Sequence, residues 1–66
     1  MGRWRVKPKG DGQRWLVTGP NGNVTEFVTG GLAIKYGKQQ AQKHHEILEV
    51  FTSVGRVFST EDYRLL

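Results

Sequence analysis

Apolar and polar residues alternate strictly at the start of the chain. Trp4, Val6 and Pro8 fall on one side of an extended backbone; Arg3, Arg5, Lys7 and Lys9 fall on the other. A period of two belongs to a half-buried β-strand, so a first strand is predicted over 3–9. Lys9-Gly10-Asp11-Gly12 reads as a turn, with glycine free to take positive φ. Alternation resumes from Gln13 to Thr18, with Trp15 and Val17 opposite Arg14, Leu16 and Thr18. The two tryptophans are therefore expected to face one core from neighbouring strands. Gly19-Pro20-Asn21-Gly22 predicts a hairpin, Asn-Gly being suited to primed turns. Asn23 to Val28 makes a third, short strand.

The period then changes. Thr29 is placed to cap a helix, its hydroxyl accepting an N–H of the first turn. Leu32 leaves the capping box incomplete, and Gly30 and Gly31 are poor helix formers. From Leu32 to about His45 the pattern is helical. Ala33, Gly37, Ala41 and His44 share one face with Ile34 beside them; Lys35, Lys38, Gln39 and Gln42 lie roughly opposite. So small an inner face lets the helix lie close to a sheet that supplies the bulk, for which the tryptophans are the obvious source. Glu46–Thr52 predicts a fourth strand, Ser53-Val54-Gly55-Arg56 a turn and Val57–Thr60 a fifth strand. Glu61 to Leu66 has no clear period. The order βββαββ predicts an α+β domain, with one helix packed on one face of an antiparallel sheet.

A chain of 66 residues makes a single domain with little stability to spare. It has no cysteine, so neither a disulfide nor a thiolate zinc site can staple it, and the core must come from packing alone. A hydrophobic content of 36% is too high for a disordered tail. No apolar run approaches the roughly 18 residues of a membrane span, and the N-terminus has no apolar signal region. The expected setting is cytoplasmic, without a membrane partner. Asn23-Val24-Thr25 matches a glycosylation acceptor, read as chance without a secretion signal.

Charge is uneven along the chain. Of the net +4, residues 1–43 contribute +6 and residues 44–66 contribute −2. Such asymmetry favours an anionic partner at one end.

Several of these segments together resemble a known pattern. "WRV", "RWLV", "FVT", "AIKYGKQQA", "LEV" and a closing "GRV" followed by Tyr63 are similar to the small bacterial and phage family known as domain of unknown function family 2188. Trp4, Val6, Trp15, Val17, Phe27, Thr29, Ala33, Gly37, Ala41, Leu48, Val50, Gly55 and Tyr63 fall where that scheme wants them. The sequence departs from it at Gly30-Gly31, where the family carries charged residues. The resemblance implies the fold and a prokaryotic or phage setting, and no established activity. Three strands followed by a helix also resemble, at the level of fold, the ethylene-response-factor and integrase arm-type DNA-binding domains. In those, the sheet face away from the helix enters the major groove, which makes DNA an expected ligand by analogy.

Arg3, Arg5, Lys7 and Arg14 are expected to project from the solvent side of the first two strands, with Lys9, Lys35 and Lys38 adding long-range attraction. A stripe of cations can release several counterions from a phosphate backbone at once, and arginine can read guanine edges. The competing explanation is a solvated sheet face that serves only solubility. The tryptophans could stack on unpaired bases, but their alternation with Val6 and Val17 assigns them to the core, and single-strand binding needs exposed aromatics. A second candidate is a protein interface, with a partner protein or in a homodimer. It would be formed by Ile47 and Phe51 on the uncovered sheet side, with Phe58, Leu65 and Leu66. His44-His45-Glu46 makes a poor metal site, since adjacent helical side chains diverge by about 100° and no partner His, Cys or Asp stands at i, i+4. No phosphate loop, carboxylate pair or catalytic triad stands out. The sequence therefore predicts a non-enzymatic binding module without metal or cofactor.

Overall fold

The computed structural model describes residues 2–10 and 14–65. Its elements are β1 (Arg3–Pro8), β2 (Trp15–Thr18), β3 (Val24–Phe27), α1 (Gly30–His44), β4 (Ile47–Phe51) and β5 (Val57–Asp62). This is the α+β arrangement in the expected order. The strands form one sheet in the order β3-β2-β1-β4-β5, and α1 packs on β1 to β4. Asp11, Gly12 and Gln13, which carry part of the predicted first turn and second strand, lie outside the described residues, as does Leu66.

The sheet is mixed rather than wholly antiparallel. β1–β2, β2–β3 and β4–β5 are antiparallel, whereas β1 and β4 pair in parallel, Arg3 beside Ile47 and Val6 beside Val50. Chain direction explains this. Two hairpins return the chain to the direction of β1, and the helix runs back before β4 begins. A strand inserted beside β1 after such a crossover must run parallel to it. Alternation of residue types reports the faces of a strand and is blind to its neighbours.

Beneath the helix lie Val6, Val17 and Leu48, each no more than 1% exposed. Gly37 is the point of closest approach: an added Cβ would stand 2.9 Å from Val6 Cγ2 and 3.0 Å from Leu48 Cδ1. Ala33 and Ala41 complete the buried stripe. The tryptophans do not supply this central bulk. They are half-buried and flank it. Trp15 lies under the first helical turn, 2.9 Å from where a Gly30 Cβ would be. Trp4 lies at the other end, stacked on the His44 ring at 6.1 Å and donating its indole N–H to Glu46 at 2.7 Å. His44, expected on the inner face, is exposed.

The helix begins two residues before the predicted start. Thr29 Oγ1 accepts the Leu32 N–H at 3.2 Å, as the sequence leads one to expect. Gly30 is helical despite its propensity because only a residue without a side chain admits Trp15. The helix ends at His45, which takes the left-handed conformation (φ 54°). The N–H groups of His45 and Glu46 then bond back to Gln42 and Ala41, a Schellman ending.

The β2–β3 and β4–β5 hairpins use three-residue loops. Gly19 and Asn23 pair across Pro20-Asn21-Gly22, and Thr52 and Arg56 pair across Ser53-Val54-Gly55. Each loop places its glycine at positive φ, 87° at Gly22 and 84° at Gly55. The primed turn expected from Asn-Gly is not formed: it needs positive φ at both Asn21 and Gly22, and of the two only Gly22 has it. β5 runs to Asp62, two residues beyond the predicted end, and Tyr63 packs against the core where no order was predicted.

Candidate nucleic-acid interface

The pairing register determines which side chains share the sheet face opposite the helix. Arg5 of β1 has Thr18 and Val24 on one side, Glu49 and Thr60 on the other. Lys7 has Leu16 and Glu26 on one side, with Phe51 and Val57 beyond it. Arg3, Ile47 and Asp62 form the row nearer the start of β1. Lys9 and Arg14 stand at the opposite end, joined by the Lys9 N–H donating to the Arg14 carbonyl at 2.7 Å. The open face therefore carries Arg3, Arg5, Lys7, Lys9 and Arg14. It also carries Ile47 and Phe51 of β4 and Val57 of β5. The cationic surface and part of the apolar surface, read as rivals in the sequence, therefore lie on the same face.

Glu49 organises its centre. Its carboxylate accepts from Arg3 Nη1 at 3.0 Å and from Arg5 Nε at 3.1 Å. The carboxylate side chain is only 14% exposed, while both arginines are half-exposed. Each guanidinium has five N–H donors and gives one of them to Glu49, and about half of each side chain remains exposed. Lys9 pairs with Glu26 at 2.8 Å. The Lys7 ammonium lies 5.7 Å from the centre of the Phe51 ring, within cation–π range. Among the described residues, neither Lys7 nor Arg14 has an ion-pair partner.

At the other end Arg64 folds back on Asp62. Its Nε and Nη2 donate at 2.9 and 2.7 Å, and its backbone N–H donates at 2.9 Å. These hydrogen bonds hold the Asp62 carboxyl down to about 2 and raise the Arg64 guanidinium above its ordinary value. Arg64, Arg3 and Arg5 line a shallow cleft of about 380 Å³ whose wall includes Ile47.

The predicted cations divide between two layers. Lys35 and Lys38 sit on the helix, on the other side of the sheet, and Lys38 lies 3.8 Å from Glu61. The predicted apolar interface also divides. Ile47 lies on the open face but is only 8% exposed, at the wall of the cleft it shares with Arg3 and Arg64. Phe51 is half-buried beside Lys7. Phe58 is 74% and Leu65 98% exposed. Phe58 is the extra residue where the register of β5 shifts against Val50 and Phe51, and it shares the face of Thr60.

Sequence reasoning missed Glu49. Its alternation with Ile47 and Phe51 placed it on the open side, but only the parallel β1–β4 pairing brings it between the arginines. The histidines have structural roles, His44 against Trp4 and His45 at the helix end. Among the described residues no group of His, Asp or Glu is arranged to hold a metal ion, and no helix is long and apolar enough to cross a membrane. No family model matches the sequence, and no curated protein or solved structure is similar enough to count as a match.

Proposed function

We propose that this domain is a small, non-enzymatic nucleic-acid-binding module that takes a phosphate backbone on the open face of its sheet. One observation carries this reading: Arg3, Arg5, Lys7, Lys9 and Arg14 share a single uncovered face. The Arg3 and Arg5 guanidiniums are tethered to Glu49 yet half-exposed, with donors left for a ligand. Binding to phosphates releases condensed counterions, so affinity should fall steeply with salt. A cysteine-free cationic domain of this kind would suit a reducing cytoplasm, and the family resemblance adds a bacterial or phage setting.

Titration of labelled single-stranded and duplex DNA and of RNA across salt concentration tests the proposal. With about four phosphates contacted, log K should fall with log salt at a slope of roughly −3 to −4. Arg5→Ala with Arg14→Ala should weaken binding at least about tenfold at low salt and leave the fold intact, since both side chains are exposed. Absence of binding to every probe at low salt ends the proposal.

A second reading has its own observation. Val54, Val57 and Phe58 are each more than half exposed at the final hairpin, which favours a protein partner or self-association there. It requires a dimer or a stable heteromeric complex in sedimentation.

A further inference from the structure

The open face joins aromatic and cationic groups that a duplex cannot use together. We infer that its ligand is single-stranded nucleic acid, with a base stacked on Phe58 and phosphates held by Lys7, Arg5 and Arg14. This rests on the proposal that the face binds nucleic acid, and it specifies which kind.

Single-strand recognition needs exposed π-faces beside a track of cations. The tryptophans cannot provide the first, since both pack against the core. Phe58 can, because the β-bulge leaves it 74% exposed. Phe51 lies one strand inward, and its ring is overhung by the Lys7 ammonium at 5.7 Å. Lys7 thereby holds its ammonium beside the aromatic ledge, where it can meet the phosphate of a base stacked on Phe58. Neighbouring strands are about 4.8 Å apart, so β5 and β1 are separated by roughly 10 Å, a gap that a nucleotide and an extended lysine side chain together can span. Leu16 and Val24 extend the same face with apolar surface against which sugars can pack.

A duplex would offer this face only phosphates and groove edges. Its bases are stacked on one another, and Phe58 would be left in water or against the charged rim. A single strand satisfies both kinds of group, which is the complementarity that selects it over a second protein chain. A purely apolar partner would have to desolvate Arg5, Lys7 and Glu49 without replacing their water.

The test compares three probes of equal length at low salt: a thymidine oligonucleotide, a duplex, and an abasic oligomer with the same phosphates and no bases. The thymidine strand is expected to bind at least about fivefold more tightly than the abasic strand. Phe58→Ala should remove most of that difference without changing the salt slope, while Arg14→Ala should flatten the slope. Because Phe58 is exposed, its substitution should leave the thermal midpoint unchanged, which a melt verifies. If all probes bind equally and Phe58→Ala has no effect, single-strand selection is wrong and the cationic-face proposal survives. If none binds, both are wrong. If Phe58→Ala instead converts a dimer to a monomer in sedimentation with no loss of strand affinity, the aromatic ledge belongs to a protein interface and this inference is overturned.

Discussion

Gly30, Gly31 and Gly37 lie on one helix and meet three different surroundings. A Cβ on Gly31 would have nothing within 4 Å, one on Gly30 would press on the Trp15 ring, and one on Gly37 would enter the Val6–Leu48 contact. Alanine at 31 should therefore bring only the helix-propensity gain, about 0.5–1 kcal/mol. Alanine at 37 gains the same and loses more, because overpacking a closed core costs about 1–3 kcal/mol. Urea denaturation of the two variants should move the midpoint in opposite directions; a shift in the same direction would show that the helix floats on the sheet rather than resting on it. This distinction was not legible in the sequence. Propensity penalises Gly30 and Gly31 alike, and only the tertiary position of Trp15 explains why one must be glycine and the other need not be. The small inner stripe of Ala33, Gly37 and Ala41 was legible, because it depends only on helical spacing.

At the scale of elements, alternation identified the strands and turn residues marked the loops, while neighbours and turn type stayed hidden. Asn-Gly marked the turn, but with Pro20 included in a three-residue loop Asn21 is no longer its first position, and only Gly22 takes positive φ. The β1–β4 pairing could not be read from alternation, and with it went Glu49. This carboxylate does two opposed things. It steadies Arg3 and Arg5, and it cancels part of the charge that would attract a phosphate. Glu49→Gln keeps a hydrogen-bond acceptor and removes the charge. It should lower stability by about 1 kcal/mol, because two guanidiniums then share a neutral partner in a mostly covered position. It should also raise affinity for a thymidine oligonucleotide a few-fold at low salt. A melt and an anisotropy titration on one preparation measure both. A fall in affinity would mean that Glu49 serves chiefly to aim the arginine forks.

At the scale of the molecule, the charge asymmetry along the chain does not survive folding. Because β4 lies beside β1, the acidic second part meets the basic first part, Glu49 at Arg3 and Arg5, Glu61 at Lys38. What remains is a distinction between faces rather than ends. The same closure ties the chain terminus to the core through Tyr63, whose N–H donates to the Glu46 carbonyl at 3.1 Å and whose hydroxyl donates to Glu61. Burial, followed by the hydrogen bond and charge of Glu61, pushes the Tyr63 phenol up to about 12 from an ordinary value of 10.0, with Gln42 acting in the opposite sense. A raised phenol means that the fold favours the protonated form. Its contribution is complete below about pH 10 and is lost as the pH climbs through about 12. A domain this small unfolds as one unit, so loss of this clasp should appear in global stability rather than as local fraying. The urea midpoint of the natural sequence should drop between pH 9.5 and 11.5 more steeply than that of Tyr63→Phe, which has no proton to lose. Lysine titration affects both proteins alike and cancels in the comparison. Equal slopes would show that the phenol is as free in the fold as in the unfolded chain, and that β5 is held at its end by backbone pairing alone.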